Sequence, residues 1–185
     1  MQVTVETLDE AGEIVSQLLN ILNFYSSESF ENEAVALRQQ RNSLVKSGKE
    51  LLEKQERLFP NLTFCGTAPQ QLNQWSASKT ILEQVKESLS SLNLFCEKWA
   101  DETYDSYRHE LLREVGLNHK VSGESDTVMR DPRLKRQRVF WLPEGRKEFF
   151  ENHVKLSNGY RLHFFPDNKK KHIYVGHIGP HLKLS

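Results

Sequence analysis

Apolar residues recur through the first half of the chain at helical spacing. Leu8, Ala11, Ile14/Val15, Leu18, Ile21/Leu22 and Tyr25 keep a period near 3.6, and Thr7-Leu8-Asp9-Glu10 fits a capping box. Together they predict a first helix, interrupted by Ser26-Ser27-Glu28-Ser29. Leu37, Leu44, Leu51 and Leu58 then repeat every seven residues beside Val45, Leu52 and Phe59. That pattern predicts a second helix from about Phe30 to Phe59, stopped by Pro60. Beyond a turn-rich stretch over 60–76, Leu82, Val85, Leu89, Leu92, Cys96 and Trp99 predict a third helix starting near Ser76 or Ser78. The phase drifts at Tyr104, Tyr107, Leu111 and Val115, so a kink or a short fourth helix is expected, with Gly116 at its end. Three or four such faces pack as an antiparallel, coiled-coil-like bundle over residues 1–118. Trp99, Tyr104 and Tyr107 read as packing residues within it.

The pattern then changes. Residues 119–130 are polar and contain Gly and Ser, which reads as a linker. From Arg136 to Leu142 the chain reads as a strand, stopped by Pro143-Glu144-Gly145. A short helix is expected from Arg146 to about Val154, with Phe149 and Phe150 facing inward. Tyr160–Phe165 and His172–Ile178 read as strands around a turn at 166–170. The expected fold class is therefore α+β: a helical bundle, then a β-α-β-β module over 131–185 with an antiparallel sheet. So small a module needs the helical part or a partner to pack against.

Charge sharpens this division. The 185 residues sum to zero, yet residues 126–185 hold 13 Lys+Arg against 6 Asp+Glu and five of the seven histidines. A basic module of this kind often meets nucleic acid; equally, the acidic and basic halves can attract each other. No apolar run approaches the ~20 residues of a membrane span, and the first residues lack the basic and apolar regions of a secretory signal, so a cytoplasmic protein is expected. Cys65 and Cys96, with no paired spacing, read as small buried or half-buried thiols.

Strand alternation sorts the last two strands into faces. Leu162, Phe164, Ile173, Val175 and His177 fall on a core face, and Arg161, His163, Phe165, His172, Tyr174 and Gly176 on the other. The second face lies beside the lysine turn Lys169-Lys170-Lys171. Arg and Lys can grip phosphate oxygens, and His and Tyr can exchange protons with a ribose hydroxyl. Aromatics on a basic sheet also stack exposed bases without chemistry, and an ordinary polar strand surface has the same composition. No cofactor and no metal are expected. His177 and His181 flank a Gly-Pro that precludes helical ligand spacing, and adding His163 and His153 gives a cluster with no carboxylate in register.

The run Val139-Phe140-Trp141-Leu142-Pro143-Glu144-Gly145-Arg146-Lys147-Glu148-Phe149-Phe150 resembles the opening strand, Pro-Glu and helix of the RelE/ParE toxin superfamily. His153-Val154-Lys155-Leu156-Ser157-Asn158-Gly159-Tyr160-Arg161-Leu162 is similar to its approach to the sheet, and His172–Gly179 to its last strand. The resemblance spans about 45 residues of the C-terminal part. It implies a small α/β unit, normally with two helices after the first strand and further strands before the last. Its ribonuclease members cut messenger RNA without metal, using Arg, Lys, His and Tyr on the sheet. Carried over, it makes Arg161 the phosphate-contacting arginine and places Tyr174 and His177 in the last strand, where such enzymes often have functional groups; His163, from the polar strand face, completes the catalytic candidates. Pro180-His181 stands where the family tends to have His-Arg. The expected function is a nucleic-acid-associated protein of bacterial toxin or antiviral-defence type, a ribonuclease-like module on a helical assembly domain. The alternative is a non-catalytic subunit whose helices dock a protein partner. In either, Arg133, Lys135, Arg136, Arg138, Lys169, Lys170, Lys171 and His172 are the candidate contacts to nucleic acid, RNA ahead of DNA.

Overall fold

The computed structural model describes the backbone of Gln2–Leu8 and Ile14–Asn20, and residues 44–183 in full. The chain divides into two compact units, 1–41 and 42–185. In the first, strands β1 (Gln2–Leu8) and β2 (Ile14–Asn20) pair antiparallel, with Leu8 opposite Ile14. The helix expected after Thr7 is therefore replaced by a hairpin. Val3, Val5, Thr4, Thr7, Ile14 and Val15 are β-branched, and such residues fit a pleated surface better than a helix.

The second expected helix is also corrected. Residues 30–43 of it lie outside the described set. Within that set the helix begins only at α1 (Gly48–Glu53), where the Ser47 hydroxyl accepts from Glu50 N at 3.1 Å, and α2 (Gln55–Leu58) follows after a break at Lys54. Leu44 is 64% exposed, so the leucine heptad is not a continuous seam. Strand β3 (Leu62–Phe64) and helix α3 (Ala68–Asn73) come next. The third helix stands as its spacing predicts: α4 (Lys79–Ala100), with the Ser78 hydroxyl accepting from Ile81 N. It is the only helix of more than six residues among those described, so there is no helical bundle. No described helix is long and apolar enough to cross a membrane.

The centre of the second unit is a five-stranded sheet. Strands β4 (Val121–Ser122), β7 (Asn152–Lys155), β8 (Tyr160–Asp167) and β9 (His172–Pro180) run antiparallel in that order, and β3 closes the far edge parallel to β9. The sheet thus draws strands from both sides of residues 119–130. That stretch, read as a linker, supplies β4 and the whole of helix α5 (Asp126–Arg130). Helix α6 (Pro132–Arg136) leads into a separate hairpin of β5 (Val139–Trp141) and β6 (Lys147–Phe149). The helix expected over 146–154 is therefore absent. The Pro143-Glu144-Gly145 turn, with Gly145 at φ +82, returns the chain so that Leu142 N bonds Arg146 O at 2.8 Å.

Both faces of the sheet are covered. Ile81, Val85, Leu89, Leu92, Phe95 and Trp99 of α4 pack with Leu62, Val154, Leu162, Phe164, Ile173 and Val175 in one core. Phe95 stacks on Tyr104, and Tyr107 meets Phe164 edge-on, so the tyrosines are packing residues as expected. Cys65 and Cys96 are buried, and burial pushes both thiols up to about 12. Over the opposite face lie Phe140, Leu142 and Phe150, clustered with Cys65 and Tyr174.

Gly176 governs that second contact. The β8–β9 register pairs His163 with His177 and then Phe164 with Val175, leaving Gly176 as an extra residue. A Cβ there would lie 2.5 Å from Phe140 Cδ2 and 2.7 Å from Phe150 Cδ1. Gly176→Val is expected to destabilise the fold by at least 1–3 kcal/mol, roughly the cost of overpacking, read as a lower urea midpoint. An unchanged midpoint would show that the rings are not held against the bulge.

Candidate functional site: a buried polar row across the sheet

The bulge moves His177 off its expected face. Each residue of β8 keeps its alternation, but the extra residue in β9 shifts the phase beyond it, so His177 stands opposite His163 rather than facing α4. Register extends the row: Ser122 opposes His153, His153 opposes His163, and His163 opposes His177. The His153 and His163 rings are 5.0 Å apart, and His163 and His177 are 5.5 Å apart edge-to-face. His153, His163 and His177 are 5%, 1% and 4% exposed.

Each end of the row is fixed by hydrogen bonds. His177 Nε2 lies 2.9 Å from Pro180 O, so it carries the proton, and Nδ1 accepts from Gln71 Nε2 at 2.9 Å. Gln71 Oε1 in turn accepts from Ile178 N. At the other end His153 Nε2 lies 3.1 Å from Ser122 Oγ. Burial holds all three imidazoles below their usual range: His153 falls to about 4, with Arg161 adding to the effect, and His163 falls well below the ordinary value. At neutral pH the row is uncharged.

Glu124 and Arg138 lie above it. The Arg138 side chain is fully buried and that of Glu124 nearly so, and Arg138 Nε donates to Glu124 Oε1 at 2.9 Å. Its remaining donors reach the carbonyls of Leu134, Leu182 and Lys183, so one guanidinium ties α6, β4's continuation and the C-terminal residues together. The same Glu124 oxygen is 3.6 Å from His163 Nδ1 and 3.9 Å from His153 Nδ1.

The residues singled out from sequence divide accordingly. His163 and His177 come together in the row. Arg161 shares their face, with Nη1 on Tyr160 O and a buried Nε that has no partner. Tyr174 stands apart, 4% exposed, its hydroxyl bonded to Glu144 at 3.1 Å and to Lys170 Nζ at 3.1 Å. Lys170 chiefly holds Glu144 down to about 2. Lys171 faces Glu102 at 3.6 Å, and His172 bonds Thr63 Oγ1 at 2.8 Å. Arg138 is interior, whereas Arg133, Arg136 and Lys169 are exposed. Lys135 lies 5.0 Å over the Phe149 ring. Sequence reasoning missed Glu124, which sits in the stretch read as a linker, and placed His177 on the wrong face; a lone glycine inside a strand was the one signal for the bulge.

A buried ion pair is costly to break from one side. Arg138→Met is expected to cost about 3–5 kcal/mol in urea unfolding. Adding Glu124→Gln should recover part of that stability, and a strictly additive double-mutant cycle would show that the two groups are not coupled. No protein-family model matches the chain, and neither a curated protein nor a solved structure matches it significantly.

Proposed function

We propose that this chain is a nucleic-acid-binding protein, with single-stranded RNA as its ligand, acting as a non-catalytic module within a larger system of bacterial conflict or defence type. The observation that carries this reading is the outer surface of the α5–α6 and β5–β6 segment. Arg130, Arg133 and Arg136 are exposed there, and Trp141 of the adjoining hairpin is 58% exposed, a rare setting for a large aromatic. Lys147 Nζ lies 4.6 Å over the Trp141 ring. Cations that meet phosphates, beside a ring on which a base can stack, are the two elements of single-strand binding.

The stretch Val139–Phe150, likened to the opening strand and helix of the RelE/ParE superfamily, forms the separate β5–β6 hairpin and no helix, so the RelE/ParE-like reading rests on the sequence resemblance alone. A ribonuclease version would use Arg161, His163, Tyr174 and His177, but the last three lie under the hairpin cover at 1–4% exposure. That burial favours binding over cleavage. An assembly role for a helical bundle has no bundle to rest on among the described residues.

Fluorescence anisotropy with a labelled single-stranded RNA tests the proposal. Binding should weaken with salt, and Arg133→Glu with Arg136→Glu should flatten the salt slope by about one unit for each phosphate no longer neutralised. Trp141→Ala should weaken binding by about five-fold or more, in line with stacking worth about 1–3 kcal/mol. No binding at low salt, or binding indifferent to all three substitutions, would overturn it.

A further inference from the structure

The hydrogen bonding of His153 is incomplete in a way the protein alone does not resolve. Its ring is 5% exposed, Nε2 is engaged by Ser122, and Nδ1 has no partner. That nitrogen lies 3.9 Å from Glu124 Oε1. As a lone pair it confronts a carboxylate oxygen, two acceptors facing each other in a dry interior. As an N–H it stops short of hydrogen-bond distance. In both cases Nδ1 has no hydrogen bond of normal geometry, the Glu151 backbone offering the ring only a weak contact, an arrangement that is costly unless something lies between the two groups.

A metal ion fits that place. Glu124, His153 and His163 each offer one ligand atom, all within 4.8 Å of one another. Tetrahedral zinc, with bonds of about 2.0–2.1 Å, sets its ligands roughly 3.3 Å apart, close to the 3.6 and 3.9 Å found here. We propose that Glu124, His153 and His163 bind one divalent transition-metal ion, through a carboxylate oxygen and two Nδ1 atoms.

The surroundings supply what such ligands need. Donation from His153 Nε2–H to Ser122 Oγ leaves Nδ1 bare for the ion, and Arg138 Nε positions the carboxylate by donating to the same Oε1 that faces the histidines. His163 Nδ1 lies 3.3 Å from Phe150 O, so binding requires its proton on Nε2. His177 lies outside the Glu124 cluster, and both its nitrogens are engaged. Two imidazoles and one carboxylate suit zinc, iron(II) or cobalt(II) and disfavour magnesium and calcium, which prefer all-oxygen sites. The Arg138 charge opposes that of the ion and limits the affinity. This site is independent of the RNA surface, and either proposal can fail alone.

The test uses the full chain, stripped with a chelator at about pH 7.5 and titrated with Co²⁺ and then Zn²⁺, because the ligands must be deprotonated. One equivalent of Co²⁺ should bind with a visible absorption band that Zn²⁺ abolishes. Histidine ¹⁵N spectra of the unmutated protein should show two Nδ1 resonances, those of His153 and His163, moving on addition of Zn²⁺. Ser122→Ala should weaken binding about 10- to 100-fold, as removal of an orienting partner does, while His181→Ala leaves it unchanged. Glu124→Gln and His153→Ala should abolish it, with circular dichroism checking that each folds. Substoichiometric Co²⁺, or Nδ1 resonances that Zn²⁺ does not move, would overturn the site whatever the variants do.

Discussion

The guanidinium of Arg138 carries an unusual share of this fold. It is fully buried, pairs with Glu124 and donates to three carbonyls, so it ties α6, the residues after β4 and the C-terminal residues to one group. A buried charge is tolerated only when its donors are met, and the planar fork of arginine can meet partners in several directions at once. Lysine offers no such geometry. What holds the cover down is therefore also what keeps Glu124 inside, next to the histidines.

The sheet in turn presents two kinds of interior. Toward α4 the contacts are apolar and aromatic, the ordinary product of an amphipathic helix on a strand face. Toward the hairpin, a polar row of Ser122, His153, His163 and His177 crosses four strands beneath Phe140 and Phe150. A row of imidazoles in that position is kept neutral by its surroundings, and neutral imidazole is the form that hydrogen-bonds in chains and ligates metals. The charged groups that face solvent lie on the outer side of the same cover. Interior chemistry and surface recognition are thereby separated by one thin layer, which explains why one charge count over residues 126–185 describes two different environments.

Much of the architecture was legible locally. The Ser78 cap and the 3–4 spacing from Leu82 to Trp99 predict α4, and the alternation of Tyr160–Phe165 and His172–Ile178 predicts the long hairpin. Elsewhere local signals misled. Thr7 and Glu10 match a capping box, yet the flanking residues pair as strands. Phe149 and Phe150 fit a helix face equally well as an edge of a hairpin, and the turn before them decides the matter. For the site, His153, His163 and His177 were singled out by residue type, but Glu124 beside them was not.

The sequence by itself determined the long helix, the last two strands and the concentration of basic residues after position 125, because capping, periodicity and charge are properties of short stretches of chain. Only the tertiary structure decided that β3 joins β9, that Gly176 bulges and turns His177 to face His163, and that Glu124 meets Arg138 and two histidines. These juxtapose residues up to 111 positions apart, from Leu62 to Ile173, and depend on register and on which groups can be buried together. Periodicity along the chain carries no record of either.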